Sequence, residues 1–127
     1  MDEFDWSQWY PLSQRSLANI PDVPGIYEIR TDYEFGGING VSRVVYIGSA
    51  ARGGKPSLRK RLSGRIADPE GNLSGAEKLL VRAGHTLEFR FATSRDGETA
   101  RQMEIRRLAN YIEKHWEPPP GVSKSFG

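Results

Sequence analysis

Gly25-Ile26-Tyr27-Glu28-Ile29-Arg30 and Arg43-Val44-Val45-Tyr46-Ile47-Gly48-Ser49 are the two stretches whose reading decides how this chain folds. The first alternates apolar and polar side chains and is rich in β-branched residues, which is the pattern of a half-buried strand. The second has the same character. Between them Gly36-Gly37 and Asn39-Gly40 supply turn chemistry. Two strands joined by a turn-rich loop predict an antiparallel hairpin with a long connection over residues 32–42.

Downstream of the hairpin the chain turns helical. A glycine-rich loop runs from Gly48 to Gly54, but no Gly-Lys-Ser/Thr follows at the spacing a phosphate-cradling loop needs. Ser57 is a natural N-cap for a helix over 58–67 with an apolar stripe of Leu58, Leu62 and Ile66. Arg61 and Arg65 form a second row beside that stripe, one turn apart. A shorter helix is predicted from Ser74 to Arg82, ending at Gly84, followed by an alternating strand from His85 to Ala92. Asp96 then starts a long helix to His115 or Trp116, with a predicted buried stripe of Ile105, Leu108, Ala109, Ile112 and Trp116. Pro118-Pro119-Pro120 stops it.

Upstream, residues 1–20 read as a short helical or irregular lead-in. Its Trp6, Trp9, Tyr10, Leu12, Leu17 and Ile20 are expected to pack onto the domain, and Pro21 and Pro24 force an extended approach to the first strand. The element order is β-β-α-α-β-α, an α+β architecture in which a small three-stranded antiparallel sheet is flanked by helices. The 127 residues are read as one domain, with a core over about 21–117 and a tail over 118–127.

Composition bounds the chemistry. Thirty-seven per cent hydrophobic residues, with three Trp, five Tyr and five Phe, suffice for a modest core. No apolar run approaches the roughly 18 residues of a membrane span, and the acidic start Met1-Asp2-Glu3-Phe4-Asp5 is unlike a signal peptide. The expectation is a soluble protein that is not secreted, cytoplasmic or nucleoid-associated, with no membrane partner. The lack of cysteine removes disulfides, thiol nucleophiles and zinc–thiolate sites. The net charge of +2 argues only weakly for an acidic partner. Its distribution says more: Arg52, Lys55, Arg59, Lys60, Arg61 and Arg65 lie between Ala51 and Ala67 without one acidic residue. That segment is either a polyanion-binding surface or a solvated helix face.

Gly25-Ile26-Tyr27 and Tyr46-Ile47-Gly48, in order and each on a predicted strand, resemble the paired motifs of the GIY-YIG nuclease superfamily. From average residue usage each tripeptide arises by chance in roughly 1% of chains this long, so the pair is a coincidence on the order of one in 10⁴. Leu58-Arg59-Lys60-Arg61 is similar to the family's Leu-x-x-Arg helix, and Glu104 in Arg101-Gln102-Met103-Glu104-Ile105 to its metal-binding glutamate. The resemblance covers about Pro21 to Trp116. It implies a GIY-YIG endonuclease-like fold and a divalent-metal-dependent endonuclease acting on DNA, with Tyr27, Tyr46, Arg61 and Glu104 as the catalytic set. It also implies one Mg²⁺ or Mn²⁺ held by Glu104. Arg52, Lys55, Arg59, Lys60 and Arg65 are expected to bind nucleic acid, and Gly25 and Gly48 to serve backbone geometry.

The chemistry is consistent with those roles. Phosphodiester hydrolysis needs an activated water, countercharge for the phosphorane and help for the leaving oxyanion. A free phenol is only about 0.3% ionised at pH 7.5, so Tyr27 as a base requires a neighbouring cation, for which Arg61 is the sequence's candidate, or a proton route through metal-bound water. Glu104 has a bland alternative as an i,i+3 or i,i+4 ion-pair partner of Arg101 or Arg107. His85 and His115 read as structural or exposed.

The pattern also departs from the family. The 19-residue spacing from Tyr27 to Tyr46 and the 15-residue spacing from Tyr46 to Arg61 are long, which places insertions at residues 32–42 and 52–56, both able to contact substrate. Arg65 stands where many members carry His or Tyr, and serves either as a second phosphate clamp or as the mark of a lost proton shuttle. Trp116 stands where many carry Asn, for which Asn110 is too early and the tail around Ser123 offers only remote substitutes. Two alternatives follow: a non-catalytic nucleic-acid-binding module with this fold, or an RNA-directed nuclease.

Overall fold

The hairpin forms as its alternation dictates. In the computed structural model, which describes residues 3–122, β1 is Tyr10–Pro11, β2 is Gly25–Gly36, β3 is Val41–Ala50 and β4 is Leu87–Thr93. The helices are α1 (Leu58–Ala67), α2 (Pro69–Asn72), α3 (Gly75–Arg82) and α4 (Gly97–His115), with a short 3-10 helix at Gln14–Asn19. The tail segment 123–127, including Ser123, lies outside the described residues.

β2 pairs antiparallel with β3, setting Tyr27 opposite Gly48 and Ile29 opposite Tyr46. On its other side β2 pairs antiparallel with β4, and β4 with β1, giving the order β1-β4-β2-β3. The architecture is α+β, with four strands where three are expected. The extra strand is two residues long, too short to show an alternation. Its Pro11 suits an edge, where a missing N–H costs no ladder bond, and the Tyr10 ring stacks on Phe91 at 6.2 Å. The register slips between Ile29 and Arg30, whose partners are Tyr46 and Val44, so Val45 is an extra, bulged residue just before Tyr46.

One sheet face is covered by α1, α3 and the lead-in, burying Ile20, Tyr27, Ile29, Leu58, Leu62 and Phe89 together. The other lies under α4, where Ile26 and Ala92 meet Met103 and Ile47 meets Leu108 and Tyr111. Each fully buried aliphatic or aromatic side chain contributes about 1.5–3 kcal/mol relative to exposure. Gly25 allows the first face to close: a Cβ there would sit 2.3 Å from the Ala92 carbonyl oxygen and 2.8 Å from Leu58 Cδ1.

α4 starts at Asp96, whose carboxylate accepts from Thr99 N at 2.7 Å. Its orientation differs from the sequence expectation. The buried positions are Ala100, Leu108, Tyr111 and His115, while Ile105 and Trp116 are 57% and 64% exposed and Ala109 is exposed. The cause is a polar core partner. Glu28, fully buried on β2, accepts from Arg107 Nε at 2.8 Å and from Arg90 Nε at 2.8 Å. Turning Arg107 inward turns Ile105 outward. Trp116 adopts a left-handed φ of 66° and ends the helix, its N–H bonding the Ile112 carbonyl.

The hairpin connection is shorter than the expected 32–42, because the strands run on through Gly36 and resume at Val41; the remaining turn over 37–40 docks on that helix end. Asn39 Nδ2 donates to the Lys114 carbonyl at 2.7 Å, and Ile38 N donates to Glu117 Oε2 at 2.7 Å. Among the described residues no helix is long and apolar enough to cross a membrane.

Candidate active site

Tyr27 and Tyr46 come from adjacent strands, and their rings stack at 6.0 Å with 24° between planes. Tyr27 is 1% exposed; Tyr46 is half-buried. Gly48 makes the arrangement possible. A Cβ on it would lie 2.8 Å from Tyr27 Oη and 2.7 Å from Tyr46 Cε2, so any side chain there displaces both rings.

Both phenols border a cleft of about 260 Å³ that is also lined by Arg61 of α1 and Glu104 of α4. The four residues singled out in the sequence are thereby brought together from four separate elements. Ser49, Arg52 and Arg101 complete the polar lining. Ser49 Oγ donates to Glu104 Oε1 at 2.5 Å. Glu104 Oε2 takes no hydrogen bond from a described residue. Among the described residues Glu104 forms no ion pair: Arg107 is bonded to Glu28, and Arg101 shares the cleft with Glu104 without a salt bridge to it. Among the described residues there is no group of three His, Cys, Asp or Glu suited to a metal. One carboxylate with a free oxygen, fixed by a serine hydroxyl, suits a hard ion that keeps several waters and takes further oxygens from a phosphate.

Arg65 is placed differently from the surface role expected for it. It is 6% exposed and forms an ion pair with Glu77, which is fully buried. Its guanidinium lies 4.3 Å over the Tyr46 ring and 5.8 Å from that of Tyr27. The reason is the turn of α1: Arg65 shares the inward face with Leu58 and Leu62, and Arg61 does not. Glu77 in turn belongs to the capping box of α3, accepting from Ser74 N at 3.2 Å and from Ser74 Oγ at 2.9 Å.

Burial pushes the Tyr27 phenol well above its ordinary value, and it outweighs the opposing pull of the Arg65 cation and the weaker pull of Arg61. The cation that acts most on this phenol is therefore Arg65, and even it does not offset desolvation.

Of the remaining basic residues, Arg52, Lys55, Lys60 and Arg61 line a second dent of about 370 Å³ that shares Ala51, Arg52 and Arg61 with the cleft. Arg59 turns aside and donates from Nε to the Ile20 carbonyl at 2.8 Å. Neither Trp116 nor Asn110 lines the cleft; Asn110 bonds Glu3 Oε1 at 2.9 Å. His85 pairs with Asp32 at 3.0 Å, and His115 is buried against Tyr111 at 4.3 Å between ring centroids.

Sequence reasoning missed Ser49, Arg101 and Glu77 as parts of this assembly. Arg101 carried a signal, since three residues before Glu104 puts it on the same helix face. Glu77 carried none, because its partner lies on another helix. No protein-family model matches this sequence, and no curated protein or solved structure matches it.

Proposed function

We propose that this chain is a divalent-metal-dependent endonuclease hydrolysing DNA phosphodiester bonds, in the manner of the GIY-YIG nucleases whose motifs it resembles. The observation that carries this reading is the convergence of Tyr27, Tyr46, Arg61 and Glu104 on one cleft that opens into a cationic dent.

Arg61 grips the scissile phosphate with its planar guanidinium fork, and Arg52 and Arg101 add countercharge as the phosphorane forms. Tyr46 orients the phosphate through its hydroxyl. Tyr27, kept neutral by burial, holds the attacking water by a hydrogen bond at neutral pH, and its phenolate becomes available as a proton acceptor only as the pH rises. Glu104, with Ser49 fixing one of its oxygens, would hold a Mg²⁺ or Mn²⁺ ion, which would supply Lewis-acid stabilisation of the leaving 3′ oxygen. The long row of exposed cations tracks the sugar–phosphate backbone.

A plasmid-nicking assay tests the reading. Supercoiled DNA should be relaxed with Mg²⁺, not in EDTA, and at least a hundredfold more slowly by Glu104→Gln or Arg61→Ala. Absence of nicking on supercoiled, linear and single-stranded DNA with either ion refutes it, and nicking that survives Glu104→Gln refutes the metal assignment. The burial of Tyr27 favours one second reading, a non-catalytic nucleic-acid-binding module. That reading predicts salt-sensitive DNA binding with no cleavage at any pH.

A further inference from the structure

Two unlike dents flank the cleft and meet at Asn72, which lines both. The first is the dent of Arg52, Lys55, Lys60 and Arg61. The second, of about 400 Å³, shares Tyr46 and Glu104 with the cleft. Its walls are apolar at Leu73, Leu108 and Val122 and polar at Asn72 and Ser74. Among the described residues its one basic residue is Arg65, which is buried and committed to Glu77. Among the described residues no free cation lines this dent to hold a phosphate, so the described cations that would grip a backbone on the first flank do not continue onto the second.

The polar groups of this second dent are of another kind. Asn72 gives its amide hydrogens to the Gly64 and Asp68 carbonyls at 2.9 and 3.0 Å, and its Oδ1 takes no hydrogen bond from a described residue. Aliphatic walls with one carbonyl acceptor, on the exposed Asn72, suit a flat heteroaromatic ring with polar edges. The piece of a nucleic acid attached directly to a phosphate and fitting that description is a nucleobase.

We infer that this dent is a nucleobase subsite beside the scissile phosphate, and hence that the substrate is DNA with an unpaired nucleotide next to the cut. The inference rests on reading the cleft as a phosphodiester site. A base stacked in a duplex cannot turn into the dent without unpairing, which costs a few kcal/mol and least where the base is mismatched, bulged or single-stranded.

Fluorescence anisotropy with the wild-type protein in EDTA, so that nothing is cut, tests this apart from catalysis. The probes are a fully paired duplex, the same duplex with one bulged nucleotide, and that bulged duplex with an abasic residue at the bulge. The bulged duplex should bind about tenfold more tightly than the paired one, and the abasic form should lose most of that gain. Val122→Trp, which fills the dent from its rim, should abolish the preference and leave the affinity for paired DNA unchanged. Equal binding of all three probes by the wild type overturns the subsite while leaving the cationic groove standing. No binding of any probe at low salt overturns the nucleic-acid reading itself, and the subsite with it.

Discussion

Removing the charge of Glu77 while keeping its shape should destabilise the protein more than any exposed substitution. Its side chain is fully buried and that of its partner Arg65 is 7% exposed, so solvent screening does little to soften the loss. Glu77→Gln retains a carbonyl oxygen for Ser74 N and Oγ and therefore keeps the cap of α3. What disappears is the countercharge, leaving a buried guanidinium among two tyrosine rings. Breaking a buried pair in this way costs about 3–5 kcal/mol. The low end applies, because the contact with Tyr46 and a neutral acceptor both remain. For a chain of this length the unfolding entropy is roughly 0.27 kcal/mol per degree, so about 3 kcal/mol lowers Tm by roughly 11 °C.

Urea unfolding followed by tryptophan fluorescence, with calorimetry for Tm, measures the effect. Arg65→Met combined with Glu77→Gln removes both charges and should recover most of the loss, with a coupling energy of about 2 kcal/mol or more. A single-variant cost below about 1 kcal/mol, or strict additivity in the double variant, refutes the buried pair as an energetic unit. Glu77 is also one of the groups raising the Tyr27 phenol. If the folded Glu77→Gln variant retains activity, the alkaline rise of its pH–rate profile should move to lower pH.

Three further outcomes follow from the same geometry. Gly48→Ala should cost about 1–3 kcal/mol from overpacking against the two phenols and lower nicking at least a hundredfold; wild-type rates would mean the ring positions are immaterial. Tyr27 keeps its proton in the fold after the unfolded phenol titrates near pH 10, so its contribution is complete below pH 10 and lost as pH rises, at about 1.4 kcal/mol per unit. Urea titrations above pH 10 should show an alkaline slope shallower by that amount in Tyr27→Phe, and identical slopes would contradict the burial. If Arg52, Lys55, Lys60 and Arg61 each meet one phosphate, log K against log salt should have a slope of about −3.6 on duplex DNA, falling to about −2.7 in Lys60→Ala. Arg65→Met should leave that slope unchanged, and a wild-type slope shallower than about −1 excludes the groove.

The elements legible in the sequence are those whose signal is local. The period-2 alternation around Tyr27 and Tyr46 fixed the hairpin, Ser57 with Leu58 and Leu62 fixed α1, and Asp96 fixed the start of α4. What was not legible depended on partners distant along the chain. β1 exists only because Tyr10 finds Phe89 and Phe91. The rotation of α4 depends on Glu28, a charged residue that apolar periodicity counts as exposed. Arg61 and Arg65 are indistinguishable by spacing, yet one lines the cleft and the other is buried, a difference decided by Glu77 on a separate helix. That Tyr27, Tyr46, Arg61 and Glu104 line one cleft agrees with grouping them through the motif resemblance, whereas their individual depths were not readable.

The charges of the cleft impose an order on what it can bind. Among the described residues Arg52, Arg61 and Arg101 line it with a single carboxylate, Glu104, so three positive charges against one negative leave a net of +2. That excess suits a phosphorane carrying two negative charges and repels a divalent cation approaching alone. Glu104 by itself offsets only half of such an ion's charge, and the three guanidinium groups oppose the rest. A phosphate entering between Arg61 and Glu104 reverses the balance, since its oxygens both neutralise the arginines and complete the ion's coordination. Metal affinity and DNA affinity should therefore be linked, each raising the other by the same factor. Calorimetric Mn²⁺ titrations should show saturation only at millimolar concentrations without DNA, and at concentrations at least tenfold lower with a non-cleavable phosphorothioate oligonucleotide bound. Tight Mn²⁺ binding by the free protein would place the ion somewhere other than this arginine-lined cleft, and would break the connection between Glu104 and the proposed chemistry.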